Sequence, residues 1–297
     1  MRREVEVPPG AAGQRLDVFL AESFGSRSAA QRLIEGGHVR VDGQPRTKRH
    51  RLSGGERIQV DESDPRPPPR AEDAPVDVAW EDASLLVVDK PAGVVVHPAK
   101  GHATGTLAQA LAGRAAGGAD PWRAGLVHRL DRDTSGLLVV AKDEATHRAL
   151  KEMLQARRIV REYLALVEGR PPARSGTIDA PLGRDRRERT KVSIQTDDPR
   201  GAVTHFEIER ALAHDTLLRV RLETGRTHQI RAHLQAIGHP VAGDPQYGHS
   251  GRHGLRRQFL HATRLAFEHP VTREPVDVVS PLPQDLADAL RRAAEAP

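Results

Sequence analysis

The sequence predicts an α+β fold, in which a domain built on a mixed, largely antiparallel sheet follows a small N-terminal α+β domain. Apolar strand-like runs outnumber helical patterns and often follow one another directly, which favours such a sheet over alternating βαβ units. The proline-dense stretch 65–75 can continue neither a helix nor a strand ladder, so we expect an extended linker there. With 297 residues in the chain, we predict domains at 1–64 and 76–297.

The composition is that of a globular protein, with 38% hydrophobic and 29% charged residues. The absence of cysteine excludes disulfides, thiolate zinc sites and cysteine nucleophiles. No apolar run reaches the roughly 18 residues of a membrane span, and no export signal precedes the first domain, so we expect a cytoplasmic protein without a membrane partner. The net charge of +5 suits a polyanionic partner, although an arginine-rich coding bias gives the same value.

The N-terminal domain is expected to contain two short helices and a hairpin. Apolar residues recur at helical spacing over 15–24 and again over 28–35. Valine alternates with arginine just before Asp42-Gly43, a dipeptide typical of a tight hairpin turn, and 57–60 predicts a closing strand.

One segment of this domain is strongly basic. Between Ser26 and Arg51 there are seven Arg or Lys and two acidic residues. Long basic side chains around a hairpin can reach phosphates without a pocket, whereas the alternative interpretation is a solvated charged face. The candidate phosphate contacts are Arg27, Arg32, Arg40, Arg46, Lys48 and Arg49.

The larger domain alternates irregularly between strands and helices. Two patterns predict helices, at 144–155 and from His228 to a stop at Gly238. The remaining apolar runs predict strands at 85–90, 136–142, 159–169, 205–212, 216–223 and 276–282.

The stretch HRLDRDTSG, residues 128–136, concentrates charge between apolar runs. Asp133 precedes Thr-Ser-Gly, which is ordinary turn chemistry and indicates a structural role. Asp131 is better placed to remain ionised in a water-poor cleft, provided that a cation pairs with it. Arg226, where a strand meets the helix in LETGRTHQIRAHL, is the candidate cation, although a purely structural ion pair would look the same.

Five segments together resemble the RluA-type pseudouridine synthases: DKPAGVVVHPAKGH, GLVHRLDRDTSGLLVVAK, VREYLALVEG, LETGRTHQIRAHL and HPVAGDPQYG. The earlier RLDVFLAESFGSRSAAQRLIEGGHVRVDG resembles the S4 RNA-binding domain, which indicates the branch of the family that carries one. The resemblance runs from about Arg15 to about Leu282. It implies the pseudouridine synthase fold and an isomerase acting on RNA, with large-subunit (23S) ribosomal RNA, free or in an assembling particle, as the expected partner. Separately, we expect a monomer.

The resemblance also implies roles for individual residues. Asp131 is the catalytic aspartate, Arg226 its partner, and Tyr163 the residue that stacks on the uracil and serves proton chemistry there. Arg129 displaces the target nucleotide. Apart from the resemblance, His128 flanks the predicted cleft and is a candidate for orienting phosphate or backbone, without a catalytic role.

The reaction breaks the bond from C1′ to N1 and joins C1′ to C5 without oxidation or an external group, so no cofactor is expected. Asp131 is either a nucleophile at C1′ or the base that removes a sugar proton to give a glycal, and both remain open.

Two other function classes account for the motifs less well than an isomerase does. A non-catalytic RNA-binding or ribosome-assembly factor would not need Asp131, Tyr163 and Arg226 together. A metal-dependent RNA hydrolase would need a ligand set that the chain lacks: of its 15 histidines, His228 and His233 are five apart rather than the four of a helical ligand pair. We therefore expect no metal site.

Overall fold

The computed structural model describes residues 2–24, 27–61, 76–98, 104–118, 120–188 and 190–296. The chain divides into two compact units, and the main division falls between Arg70 and Ala71; residues 120 and 121 are also assigned to the first unit. That division and the expected linker at 65–75 lie outside the described residues, so the limits of the two domains stay a prediction.

The N-terminal unit is a four-stranded antiparallel sheet with two helices. Its sheet order is β1-β4-β2-β3. The elements are β1 (Arg2–Glu6), α1 (Leu16–Ser23), α2 (Arg27–Glu35), β2 (Val39–Val41), β3 (Gln44–Pro45) and β4 (Arg57–Asp61). The two helices and the hairpin lie where the sequence predicts them. Strand β1 was not predicted, because its charged sequence RREVE offers little apolar alternation.

A buried carboxylate ties the two helices of this unit together. Asp17 on α1 is 0% exposed and accepts hydrogen bonds from Arg15 at 2.9 Å, Arg27 at 3.0 Å and Gln31 at 2.6 Å. Burial alone would raise the pKa of Asp17, but these donors outweigh it and lower the pKa to about 2. The ionised carboxylate therefore holds α2 against α1.

The larger unit is built on a nine-stranded sheet. Its order is β5-β6-β7-β14-β8-β13-β12-β9, and β15 also pairs with β14. The strands are β5 (Asp77–Glu81), β6 (Leu85–Lys90), β7 (Ser135–Ala141), β8 (Val160–Glu168), β9 (Ser175–Asp179), β12 (Val203–Ala211), β13 (Asp215–Leu222), β14 (Leu260–Glu268) and β15 (Pro275–Val279); β10 (Gly183–Arg184) and β11 (Val192–Ser193) form a separate two-stranded ribbon.

Helices cover both faces of this sheet. The helices are α3 (Leu107–Ala110), α4 (Glu144–Gln155), α5 (Gln229–Ala236) and α6 (Gln284–Glu295). Leu137 and Val139 of β7 pack with residues of α4, whereas Leu138 and Val140 share a core with residues of α3, α5 and α6. None of the helices in the described ranges is both long and apolar enough to cross a bilayer.

Eight strand pairings hold the large sheet together, and among the described strands only β7 and β14 pair in parallel. The prediction of a mixed, largely antiparallel sheet is confirmed. At this parallel contact, Gly136 has a φ of 111°. A Cβ at Gly136 would lie 2.3 Å from the carbonyl oxygen of Ala262, so only glycine allows the strand that leaves HRLDRDTSG to approach β14 this closely.

Candidate active site

A cleft of about 600 Å³ opens in the larger unit. Its walls come from the HRLD segment before β7, the start of β8, and the segment that joins β13 to α5. The cleft is lined by all five residues that the sequence assigns to this domain's site: His128, Arg129, Asp131, Tyr163 and Arg226. Residues distant in sequence, such as Asp131 and Arg231, which are 100 positions apart, therefore meet in one cavity.

Asp131 is held by a cation from α5. Its side chain is 16% exposed, and its Oδ2 accepts a hydrogen bond from Nη1 of Arg231 at 3.1 Å. Nε2 of His228 lies 4.0 Å from the other carboxylate oxygen. The carboxylate is thus fixed by a guanidinium on one side and remains open to the cleft.

The predicted pairing of Asp131 with Arg226 is wrong. Arg226 is exposed, and its Nε donates to the carbonyl oxygen of Gly201 at 3.1 Å. Arg226 precedes α5, whereas Arg231 lies on the first turn of that helix and faces the carboxylate. The cation is therefore the second arginine of TGRTHQIR rather than the first.

Arg231 bridges two carboxylates. Arg231 also donates to Asp244 at 2.6 and 2.9 Å. The side chain of Arg231 is 6% exposed and that of Asp244 is 0% exposed. Burial opposes the charge on Arg231, but the bonds to Asp244 and Asp131 outweigh that effect and raise its pKa. The guanidinium is permanently charged and cannot rotate without breaking a buried pair.

His228 lies beside this pair in a left-handed conformation, with φ 54°. Its Nδ1 is 3.0 Å from the hydroxyl of Tyr247, and that hydroxyl donates to the carbonyl oxygen of Val192 at 3.1 Å. Because the phenolic proton is used there, His228 must donate from Nδ1, and a neutral ring then presents an unprotonated Nε2 to Asp131. Burial lowers the pKa of His228 and favours this neutral form.

Buried cations anchor the loop that carries Asp131 through its backbone. Nη1 of Arg257 donates to the carbonyl of Asp133 at 3.0 Å. Lys90 is 0% exposed, and burial lowers its pKa to about 7. Nζ of Lys90 donates to the carbonyl oxygens of Pro91 at 2.8 Å, Val94 at 2.9 Å and Arg132 at 2.9 Å.

Strand β8 contributes two side chains to the cleft. Tyr163 is buried, and burial raises the pKa of its hydroxyl. Arg161, two positions earlier on the same face of the strand, also lines the cleft and is buried. Arg161 was not predicted, although its alternation with Tyr163 in VREYLAL could have indicated it.

Two sequence-family models match the chain. Residues 84–236 match the RNA pseudouridylate synthase family, and residues 14–58 match the S4 domain. The chain belongs to the RNA pseudouridine synthase family. It is therefore an isomerase, and its S4 domain indicates that it binds RNA.

Relatives of this pseudouridine synthase match it over nearly the whole chain. The ribosomal large subunit pseudouridine synthase D of Xanthomonas campestris pv. campestris is 44% identical, over 99% of this chain and 95% of its own. An uncharacterized RNA pseudouridine synthase of Chloroflexus aurantiacus is 47% identical, over 98% and 93%. The structure of human RNA pseudouridylate synthase domain containing 1 matches with a TM-score of 0.57 and 30% identity, covering 70% of this chain and 84% of that one.

Five of the six basic residues predicted to contact phosphate on the synthase's S4 unit have described side chains, and these five fall into two groups. Three of them bond within the unit: Arg27 to Asp17 at 3.0 Å, Lys48 to Glu35 at 2.6 Å, and Arg40 to the carbonyl oxygen of Gly43 at 3.1 Å. Arg46 and Arg49 are exposed, and no bond from either to another described residue is found. The side chain of Arg32 lies outside the described residues.

Proposed function

We propose that this synthase converts specific uridines of large-subunit ribosomal RNA to pseudouridine, with Asp131 as the group that acts on the ribose. One observation carries the assignment: Asp131 is paired with Arg231 inside the cleft that Tyr163 also lines. The relative from Xanthomonas is named as a ribosomal large subunit synthase, which supports ribosomal RNA as the substrate. A bacterial cytoplasm is the corresponding location.

The reaction develops positive charge on the ribose as the uracil leaves C1′. A fixed anion beside C1′ stabilises that charge, as carboxylates do in glycoside chemistry. Arg231 supports this role because it orients Asp131 before RNA binds, so that little reorganisation is needed during the reaction. The same geometry serves a nucleophile at C1′ and a base that removes a sugar proton.

The target nucleotide must leave the RNA stack to reach this cleft, at a cost of a few kcal/mol. Arg129 is exposed on the cleft wall and is available to occupy the place of the displaced base. The ring of Tyr163 offers a stacking surface for the extruded uracil. Aromatic residues make up only 3% of the chain, so recognition of the surrounding RNA rests on phosphates and shape.

The S4 unit supplies phosphate contacts in this proposal. Arg46 and Arg49 are the first candidates because their guanidinium groups are not engaged elsewhere in the described structure. The enzyme acts as a monomer. In support, few large hydrophobic side chains are exposed in the described ranges. The four that are lie at separate places in the sequence: Ile194, Ile237, Val271 and Val279.

The test is Asp131→Asn, which keeps the shape of the side chain and removes its charge. Wild type should release tritium from a large-subunit RNA transcript labelled at C5 of uridine. Asp131→Asn should lose at least about 1,000-fold in rate while its RNA dissociation constant stays within about threefold. The matched control is Asp133→Asn, because that carboxylate lies two residues away and pairs with Arg132 at 2.9 Å.

Asp133→Asn should retain most of the wild-type rate. Near-wild-type turnover by Asp131→Asn, or equal losses in the two variants, would refute the role given to Asp131.

A further inference from the structure

We infer that Arg161 and His128 form a donor pair that receives a carbonyl oxygen of the flipped uracil and stabilises the ring as it leaves the ribose. The inference rests on the proposed function and adds a uracil subsite to it. The pair lies on the cleft wall, outside the contacts of Asp131 with Arg231 and His228.

Arg161 is a buried cation without a carboxylate partner. The residue is 7% exposed, and none of the described acidic side chains lies within ion-pair distance of its guanidinium. Among the described residues, the one bond found for this side chain runs from Nη2 to the carbonyl oxygen of Glu223 at 3.2 Å. Nε of Arg161 is fully buried and has no partner among the described residues. Burying an unpaired charge costs several kcal/mol, so a cation held this way in a cleft indicates an acceptor that arrives with the ligand.

His128 contributes a second unused donor. Its Nε2 accepts a hydrogen bond from the backbone N–H of Val139 at 3.1 Å, so Nε2 carries no proton. Burial, with a contribution from the charge of Arg161, lowers the pKa of His128 to about 3. The ring is therefore neutral at physiological pH, and its single proton is on Nδ1. That atom is buried and also has no partner among the described residues.

The position of the pair favours the base over a phosphate. Arg161 and Tyr163 are alternate residues of β8, so their side chains leave the same face of the strand. A uracil stacked on Tyr163 would bring its polar edge toward these donors. Arg226, which also lines the cleft, is exposed and better placed for the RNA backbone.

The chemistry gives these donors a specific task. When the bond from C1′ to N1 breaks, its electron pair goes to N1 and is shared by resonance with O2 and O4 of the uracil. A guanidinium at one of these oxygens stabilises that charge, while Asp131 stabilises the ribose. The new bond from C1′ to C5 then forms, the proton on C5 is lost, and N1 takes up a proton, so that the product is an isomer of uridine and atoms and electrons balance. Removing one aligned donor of this kind slows a reaction by about 100- to 1,000-fold.

The experiment compares Arg161→Met, Arg161→Lys and the control Arg210→Met. Arg210 is exposed on β12 and lies outside the cleft. Each variant of the full-length enzyme is assayed under single-turnover conditions with C5-tritiated large-subunit RNA, and its RNA dissociation constant is measured by filter binding. Thermal melting of each variant establishes that it is folded.

Arg161→Met should lose at least about 100-fold in single-turnover rate with a dissociation constant within about threefold of wild type. Arg161→Lys should recover at least about tenfold of that loss because it retains the charge, and Arg210→Met should resemble wild type. A normal rate in Arg161→Met, or a loss confined to the dissociation constant as a phosphate contact would produce, overturns the inference. Both outcomes leave Asp131→Asn inactive, whereas failure of the proposed function would leave wild type itself without turnover.

His128→Phe tests the second donor. If His128 and Arg161 act on the same leaving group, the double variant His128→Phe with Arg161→Met should lose less rate than the product of the two single losses. Strict multiplicativity of the two losses would show that the side chains do not share one acceptor.

Discussion

Replacing Arg231 should damage both stability and turnover, because this guanidinium is shared by two carboxylates. In Arg231→Met, Asp244 would remain 0% exposed without its cation. Removing one partner of a buried ion pair costs about 3–5 kcal/mol. Asp244 keeps hydrogen bonds from the backbone N–H groups of Gln246 at 2.9 Å and Tyr247 at 3.1 Å, so we expect the lower end, about 3 kcal/mol. In a domain of this size that corresponds to a melting temperature lower by about 6–12 °C.

The matched substitution is Arg226→Met, in the same segment. Arg226 is exposed and makes one bond to a backbone carbonyl, so its loss should cost less than about 0.5 kcal/mol. Differential scanning calorimetry and single-turnover tritium release on both variants provide the comparison. Arg231→Met should also lose at least about 100-fold in rate. A larger melting shift in Arg226→Met, or a melting temperature within about 2 °C of wild type for Arg231→Met, would refute the assignment of the bridging cation.

Three further perturbations address other parts of the chain. Lys90→Met leaves a buried site without its ammonium group and three carbonyl oxygens without their donor, and should lower the free energy of unfolding by about 2–4 kcal/mol in urea titrations; an unchanged midpoint would contradict this anchoring role. The pKa of Asp17 is about 2 in the fold against an ordinary 3.8, so its contribution, up to about 2 kcal/mol, is present above pH 4 and is lost as pH falls toward 2. Hydrogen exchange of 16–35 should show this pH dependence in wild type and not in Asp17→Asn. Replacing Arg46 and Arg49 together by Met should weaken RNA binding and lower the slope of log affinity against log salt by about 1.5, and an unchanged slope would remove both from the RNA interface.

Much of the fold was predictable because it follows from local patterns. The helix at 144–155 and the strands on either side of it appear as clear periodicities, and the structure has α4 over the same residues. Strand β14 escaped detection although it lies in the centre of the sheet. His261 and Thr263 on β14 are buried polar residues that interrupt its apolar pattern. They are tolerated because His261 bonds to Ser135 at 3.0 Å and Thr263 to the carbonyl of Ser280 at 3.0 Å. Those partners are distant in sequence.

The sequence was enough to predict most residues of the site, but not all of the contacts between them. The charged stretch HRLDRDTSG indicated Asp131 and the family resemblance implied Tyr163, and both line the cleft. The choice between Arg226 and Arg231 depends on the start of α5, where His228 adopts a left-handed backbone conformation. Histidine rarely takes that conformation, so no spacing rule anticipates the turn that brings Arg231 to the carboxylate.

Lys90 and Arg257 donate hydrogen bonds to the backbone carbonyl oxygens of Arg132 and Asp133. Every amino acid supplies such an oxygen. The path of this loop is therefore insensitive to which side chains stand at those two positions. Natural drift or deliberate library design can change these two side chains, next to Asp131 in sequence, while the aspartate keeps its orientation. Diversification of positions 132 and 133 is accordingly a low-risk route to altered choice among uridines.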